Sequence, residues 1–91
     1  MTAMNGVQNI LMNDKVILIT GAFGQLGMAT TKLLLERGAT VVANDIIDPG
    51  SRPDVKELLG RYGEDRLYYA RIDVNTEDNV KKLAELIDSK Y

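Results

Sequence analysis

Three glycines recur at every third residue of the segment TGAFGQLG, as Gly21, Gly24 and Gly27. That spacing suits the binding of a phosphate. Gly21 lets the chain turn sharply, Gly24 lets the main chain approach an anion, and Gly27 lets a following helix pack closely. A helix beginning here would turn its unpaired N–H groups and partial positive charge toward the same anion. Two carboxylates accompany the loop. Asp45 stands 18 residues beyond Gly27, the separation at which an acid can accept both hydroxyls of an adenosine ribose. Asp73 is a second acid suited to the same edge. Each feature also has a plain reading: a tight turn without a ligand, a solvated loop acid at Asp45, and at Asp73 a residue that shapes the turn into the next helix.

The surrounding elements must bring these residues together. Lys15 to Thr20 (KVILIT) is apolar without alternation, the mark of a strand buried on both faces. From Gln25 the pattern turns helical, with Leu26, Ala29, Leu33 and Leu34 as the apolar side and Gly38 as the stop. Ala39 to Asn44 is a second buried strand, ending at Asp45. The stretch Ile46 to Pro53 holds both prolines and Gly50 and reads as a loop. Val55, Leu58, Leu59 and Tyr62 make a short amphipathic helix stopped at Gly63. Arg66 to Ile72 is a third strand ending at Asp73. A last helix, capped by Asn75 or Thr76, follows with the stripe Val80, Leu83, Ala84 and Ile87.

The order β-α-β-α-β-α, with apolar strands, predicts an α/β fold with a parallel sheet and right-handed crossovers. The expected strand order is 3-2-1, one mononucleotide-binding half of a three-layer, doubly wound fold. Both glycine loop and strand-end acids then lie at the carboxyl edge of one sheet.

Composition narrows the chemistry. The 91 residues include no Cys and no His, which removes disulfides, thiol catalysis and His-based metal or acid–base sites. A formal net charge of −2 argues against a nucleic-acid or anionic-membrane partner. The first fourteen residues lack a basic signal region, and the longest apolar run, Val16 to Ile19, is far shorter than a membrane span. A cytoplasmic protein is expected, with residues 1–9 a loose tail, residues 10–91 the domain, and Ile10 to Met12 against one edge of the core. Asp45, Asp48 and Asp54 lack the spacing of one metal site and read as solvated loop acids. Tyr68 and Tyr69 read as one core and one surface ring, and Lys81–Lys82 as a solvated helix face.

From Leu11 to Tyr91 the sequence resembles the N-terminal part of a short-chain dehydrogenase/reductase. The matching segments are NDKVILITGAFGQLG, the strand end VVANDI and RIDVNTEDNVKKL. Gln25 stands where the commonest single-domain pattern, TGxxxGxG, has its second glycine; TGxxGxxG is the pattern of extended members and some single-domain oxidoreductases. The resemblance implies that Thr20, Gly21, Phe23, Gly24, Gln25, Leu26 and Gly27 hold a pyrophosphate. It implies that Asp45, with Ile46 beside it, holds the adenosine ribose, and that Asp73 and the Val74 backbone recognise adenine. The implied cofactor is NAD in preference to NADP, because a 2′-phosphate would meet the Asp45 carboxylate and Ile46 and Ile47 follow it in place of a basic residue.

The family's chemistry uses a Tyr with a Lys four residues later, aided by a Ser and an Asn. Here Tyr62 is followed at that distance by Arg66, Tyr68 by Ile72 and Tyr69 by Asp73, so no catalytic residue is assigned. A fourth strand would begin just beyond Tyr91, and the chain is expected to be truncated before it. Val16–Ile19 is then an apolar edge strand open to the remainder of a longer chain or to a second copy. Three functions remain open: the NAD-binding portion of an oxidoreductase, inactive alone; a non-enzymatic adenine-nucleotide-binding or dimerising module; and a fold without a ligand.

Overall fold

The structure, a computed structural model, describes residues 11–91. The expected tail, residues 1–9, and Ile10 lie outside the described residues. Three strands, β1 (Val16–Thr20), β2 (Thr40–Asp45) and β3 (Leu67–Arg71), alternate with α1 (Gln25–Glu36), α2 (Pro53–Tyr62) and α3 (Glu77–Lys90). A single 3-10 turn, Pro49–Ser51, lies in the loop that carries both prolines. The sheet is parallel throughout, with β2 in the middle, so the 3-2-1 order holds.

The register sets which residues share a face. Ile19, Ala43 and Tyr69 align across the sheet, as do Leu18, Val42 and Tyr68 on the opposite face. The larger core lies on the first of these faces, where Met28 and Leu35 of α1 and Val55 and Leu58 of α2 bury Val41, Ala43 and Leu67. Met12 packs against the rim of this core, whereas Leu11 is largely exposed. A smaller core on the other face joins Val42 and Ala70 to Leu83 of α3, with Leu86 and Ile87 beside it. Two consecutive right-handed crossovers place α1 and α2 on one side, and only α3 reaches the other. The result is the helix–sheet–helix arrangement of a Rossmann-like half.

Three details differ from the sequence reading. The first strand is covered on one face only. Ile17 and Ile19 meet α1, while Val16 and Leu18 remain 46% and 43% exposed because α3 covers β2 and β3 and stops short of β1. Secondly, α1 is rotated from the expected stripe. Met28, Thr31 and Leu35 are buried, whereas Leu26 is 81% and Leu33 40% exposed, and Ala29 faces outward with them. The cause is Gly27: a Cβ there would lie 2.0 Å from the Gly21 carbonyl oxygen, so this face alone can press against the glycine loop. In α3 the buried line likewise shifts to Leu83, Leu86 and Ile87, leaving Val80 and Ala84 exposed. Finally, neither tyrosine is a plain surface ring: Tyr69 packs on the larger core and Tyr68 on the smaller.

Candidate functional site

The carboxyl ends of the three strands form the edge on which the candidate residues meet. Thr20 is in register with Asn44 and Asn44 with Ala70, so the strands end almost level. Beyond Thr20 the chain turns at Gly21, whose φ of +61° lies in the left-handed region that disfavours side chains. The Ala22 N–H then donates to the Asn44 carbonyl at 3.0 Å, which continues the ladder past the end of the strand. Thr31 Oγ1, buried on α1, donates to the Ala22 carbonyl at 3.3 Å and ties the helix to the same turn.

Phe23 lies between Gly21 and Gly24, and its backbone is held on both sides. Its N–H donates to Asp45 Oδ2 at 2.9 Å, and its carbonyl accepts from Arg52 Nη2 at 3.2 Å. The Phe23 ring is buried, with its centroid 5.1 Å from that of Tyr69 in an edge-to-face arrangement. Tyr69 Oη in turn donates to the Ile47 carbonyl at 2.6 Å, and Arg71 Nε donates to the Ile46 carbonyl at 3.1 Å. The segment after β2 is therefore strapped to β3 while it grips the glycine loop. Burial, with the Asp45 carboxylate nearby, pushes the Tyr69 hydroxyl pKa up.

The sequence-predicted residues fall into two groups. Thr20, Gly21, Phe23, Gly24, Gln25, Leu26, Gly27, Asp45 and Ile46 form one continuous patch where β1, α1 and β2 converge. Asp45 is engaged at both oxygens, Oδ2 by Phe23 and Oδ1 by the Ile46 N–H at 2.7 Å. Asp73 and Val74 follow β3 on the same edge. Asp73 Oδ1 accepts from the Asn75 N–H at 3.2 Å, its carbonyl accepts from Asn79 Nδ2 at 2.7 Å, and Thr76 caps α3. The turn-shaping role is thus visible at Asp73, while the Val74 side chain belongs to the smaller core.

A pyrophosphate-bearing group fits these residues. A Cβ at Gly24 would meet only the Gly21 carbonyl oxygen, at an ordinary 3.5 Å, so internal packing does not require glycine there. The bare main chain leaves the outer side of the loop open to an anion. No side chain caps the start of α1, and its first turn holds no acid. The N–H groups of Gln25, Leu26 and Gly27, without partners by the geometry of a helix start, have no carboxylate of their own to satisfy them.

Several residues that build this site were not singled out from the sequence. Asn44 is buried and its Nδ2 donates to the carbonyls of Ala70 at 3.0 Å and Ile72 at 2.8 Å, which fixes the end of β3 against β2. Its signal was available, as the one amide in the apolar run ATVVAN. Thr31 likewise interrupts an apolar helix. Arg52 gave no signal, because its partner on the loop lies 29 residues away. Asp54 binds Arg52 at two oxygens, 3.0 and 2.8 Å, and this pairing holds the Asp54 carboxyl well below the usual range, at about 2. Asp48 accepts from the Gly50 N–H at 2.9 Å and shapes the 3-10 turn, whereas Asp54 lies in the first turn of α2 and not in the loop, so the acids have separate local roles.

Comparison with known proteins agrees with this geometry. The sequence profile described as short chain dehydrogenase matches residues 15–91. A 3-oxoacyl-(acyl-carrier-protein) reductase of Thermotoga maritima is 39% identical over 80 residues, which is 88% of this chain and 32% of the relative. An NAD-dependent glycerol dehydrogenase of Listeria innocua is 31% identical over 80 residues, 88% of this chain and 30% of the relative. A cis-4-hydroxycyclohexanecarboxylate dehydrogenase of Sinomonas cyclohexanicum is 39% identical over 78 residues, 86% and 30% of the two chains. The chain spans about a third of the length of these curated relatives. Profile, fold and loop chemistry agree: the chain belongs to the short-chain dehydrogenase family.

Proposed function

We propose that this chain is the dinucleotide-binding portion of a nicotinamide-dependent oxidoreductase, acting between an alcohol and a carbonyl, and that it takes NAD in preference to NADP. The observation that carries the reading is the meeting of Asp45 with the glycine loop, at 2.9 Å from the Phe23 N–H. An acceptor for ribose hydroxyls and a cradle for phosphates are thereby one surface. The bound nicotinamide would supply the hydride acceptor or donor. The residues of this chain do the holding: the bare main chain at Gly24 and the N–H groups at the start of α1 take the pyrophosphate, Asp45 the adenosine ribose, and Asp73 with the Val74 backbone the adenine.

Preference for NAD rests on charge. A 2′-phosphate at Asp45 would face a carboxylate, and the neighbouring Arg52 is committed to Asp54 by two hydrogen bonds. The NAD-dependence printed for the Listeria innocua relative supports the same choice. No Tyr in the sequence is followed four residues later by Lys, so the reading assigns binding without turnover to these residues. A second reading, a nucleotide-binding module that pairs with another copy, is favoured by one observation: the apolar, half-exposed β1 edge.

Titration of the labelled chain with NAD, NADP and AMP, followed by amide NMR, tests the proposal. Shifts at Gly21–Gly27 and Asp45, saturating at lower NAD than NADP, are expected. Silence at those residues with millimolar nucleotide would reject ligand binding altogether.

A further inference from the structure

The glycine loop touches a residue that neither the glycine pattern nor the strand-end acids predict. Arg52 lies in the connection between β2 and α2, at the position that precedes the first residue of α2. Its guanidinium makes three hydrogen bonds: Nε to Asp54 Oδ1 at 3.0 Å, Nη2 to Asp54 Oδ2 at 2.8 Å, and Nη2 to the Phe23 carbonyl at 3.2 Å. The first two form a fork that fixes the plane of the guanidinium. The third uses that fixed plane to hold a main-chain oxygen of the loop. Because Asp45 holds the N–H of the same residue, Phe23 is gripped at both backbone groups by opposite charges, one at the end of β2 and one in the connection that follows it.

We infer that Arg52 is a positioning residue for the nucleotide site, with Asp54 as the brace that orients it. The inference rests on the dinucleotide-binding reading above. The Phe23 carbonyl belongs to the peptide that leads into Gly24, so its orientation sets the direction in which the chain enters α1. The Gly24 N–H of that same peptide donates back to the Gly21 carbonyl at 3.2 Å, which closes the turn, and the Gln25 N–H follows as the first amide of α1. With the peptide held by Arg52, the amides from Gln25 onward are set toward a phosphate before any ligand arrives, and the ordering cost is met in folding, not in binding. The pair is partly open to water, with 37% and 50% of the two side chains exposed, so as a surface ion pair it adds little to stability. Its consequence is local: it fixes one carbonyl.

The tests use the 91-residue chain and ADP, which carries ribose and pyrophosphate without nicotinamide. Arg52→Gln is expected to shift the amide resonances of Phe23–Gly27 with no ligand present, to speed their hydrogen exchange, and to weaken ADP binding about tenfold, the factor carried by one hydrogen bond to a charged group. Arg52→Lys, which keeps a cationic donor within reach of the carbonyl, should recover part of that loss. Asp54→Asn keeps hydrogen-bonding oxygen beside Nε and should produce a smaller change than Arg52→Gln. Unchanged loop resonances and unchanged ADP affinity in Arg52→Gln would overturn the inference, as would equal losses in Arg52→Gln and Arg52→Lys. If the wild-type chain does not bind ADP, the binding reading fails; the ligand-free resonances and exchange rates still decide whether Arg52 orders the loop.

Discussion

The Phe23 N–H donates to Asp45 Oδ2 across 2.9 Å, joining residues 22 positions apart. This one bond places the acid at the end of β2 against the turn that leaves β1. Asp45 therefore has two duties, a ribose acceptor in the proposed function and a fastener of the loop without any ligand.

The two duties separate by substitution. Asp45→Asn keeps a carbonyl oxygen able to accept from Phe23, so the fold and pyrophosphate binding should survive while NAD affinity falls about tenfold from the loss of a charged acceptor. Asp45→Ala removes the fastener as well and should also weaken pyrophosphate binding, though less than NAD. Calorimetric titration with both ligands is the check. Equal loss of the two in Asp45→Asn would remove Asp45 from the ribose site.

The glycines should divide in the same manner. At Gly27 a Cβ would fall 2.0 Å from the Gly21 oxygen, which is backbone and cannot swing aside. Gly27→Ala is expected to destabilise the chain by about 3 kcal/mol, at the upper end for overpacking. Gly24→Ala meets only a 3.5 Å contact at a φ of −71° and should change stability by less than about 1 kcal/mol while reducing nucleotide affinity. Urea unfolding monitored by circular dichroism gives the first comparison, and titration the second.

Asn44→Ala should be costly although no ligand touches Asn44. The amide donates to two carbonyls at the end of β3; its removal leaves the Ala70 carbonyl to the Ile72 N–H and takes the Asn44 donor from the part-buried Ile72 carbonyl, at a cost of about 1–3 kcal/mol. Amide exchange at Ala70–Asp73 should quicken more than at β1. A uniform change across the sheet would contradict a local role.

Acid should act on the α2 entrance. The Asp54 carboxyl, held at about 2 in the fold by its hydrogen bonds from Arg52, has a higher unfolded value. Its contribution is therefore present in full above the ordinary Asp pKa of about 3.9 and is lost as pH falls toward 2. Asp54→Asn should flatten the stability–pH curve across that interval and leave the curve above pH ~5 nearly parallel to wild type. Thermal unfolding at a series of pH values measures it.

Association is expected through β1. Val16 and Leu18 are exposed on a strand whose outer edge has no neighbour among the described residues. Sedimentation should show self-association that rises with concentration and is suppressed by Leu18→Glu, a charge on the bare face. A monomer at the highest attainable concentration would refute it.

What could be read from the sequence followed from locality. Alternating strands and helices, the turn at Gly21, the close approach at Gly27 and the strand-end place of Asp45 are set by residues near each other in the chain. Arg52 and Asn44 act across 29 and 26 residues, and no periodicity announces such pairs. The first strand misled differently: its apolar run describes both faces, while the helices described here cover one. On α1 the richer apolar line, Leu26, Ala29 and Leu33, points to the wrong face, since the line Met28, Thr31 and Leu35 repeats equally well and carries a threonine.

The contact between Gly27 and Gly21 resolves that ambiguity by exclusion. The rotation of α1 is decided at the one position where a side chain cannot exist, not by whichever apolar line is richer. The helix is keyed into its seat. Core residues such as Met28 and Leu35 could exchange for others of similar volume without turning it. A methyl group at Gly27 would force the key out, and the outward line of Leu26, Ala29 and Leu33 would then compete for the sheet.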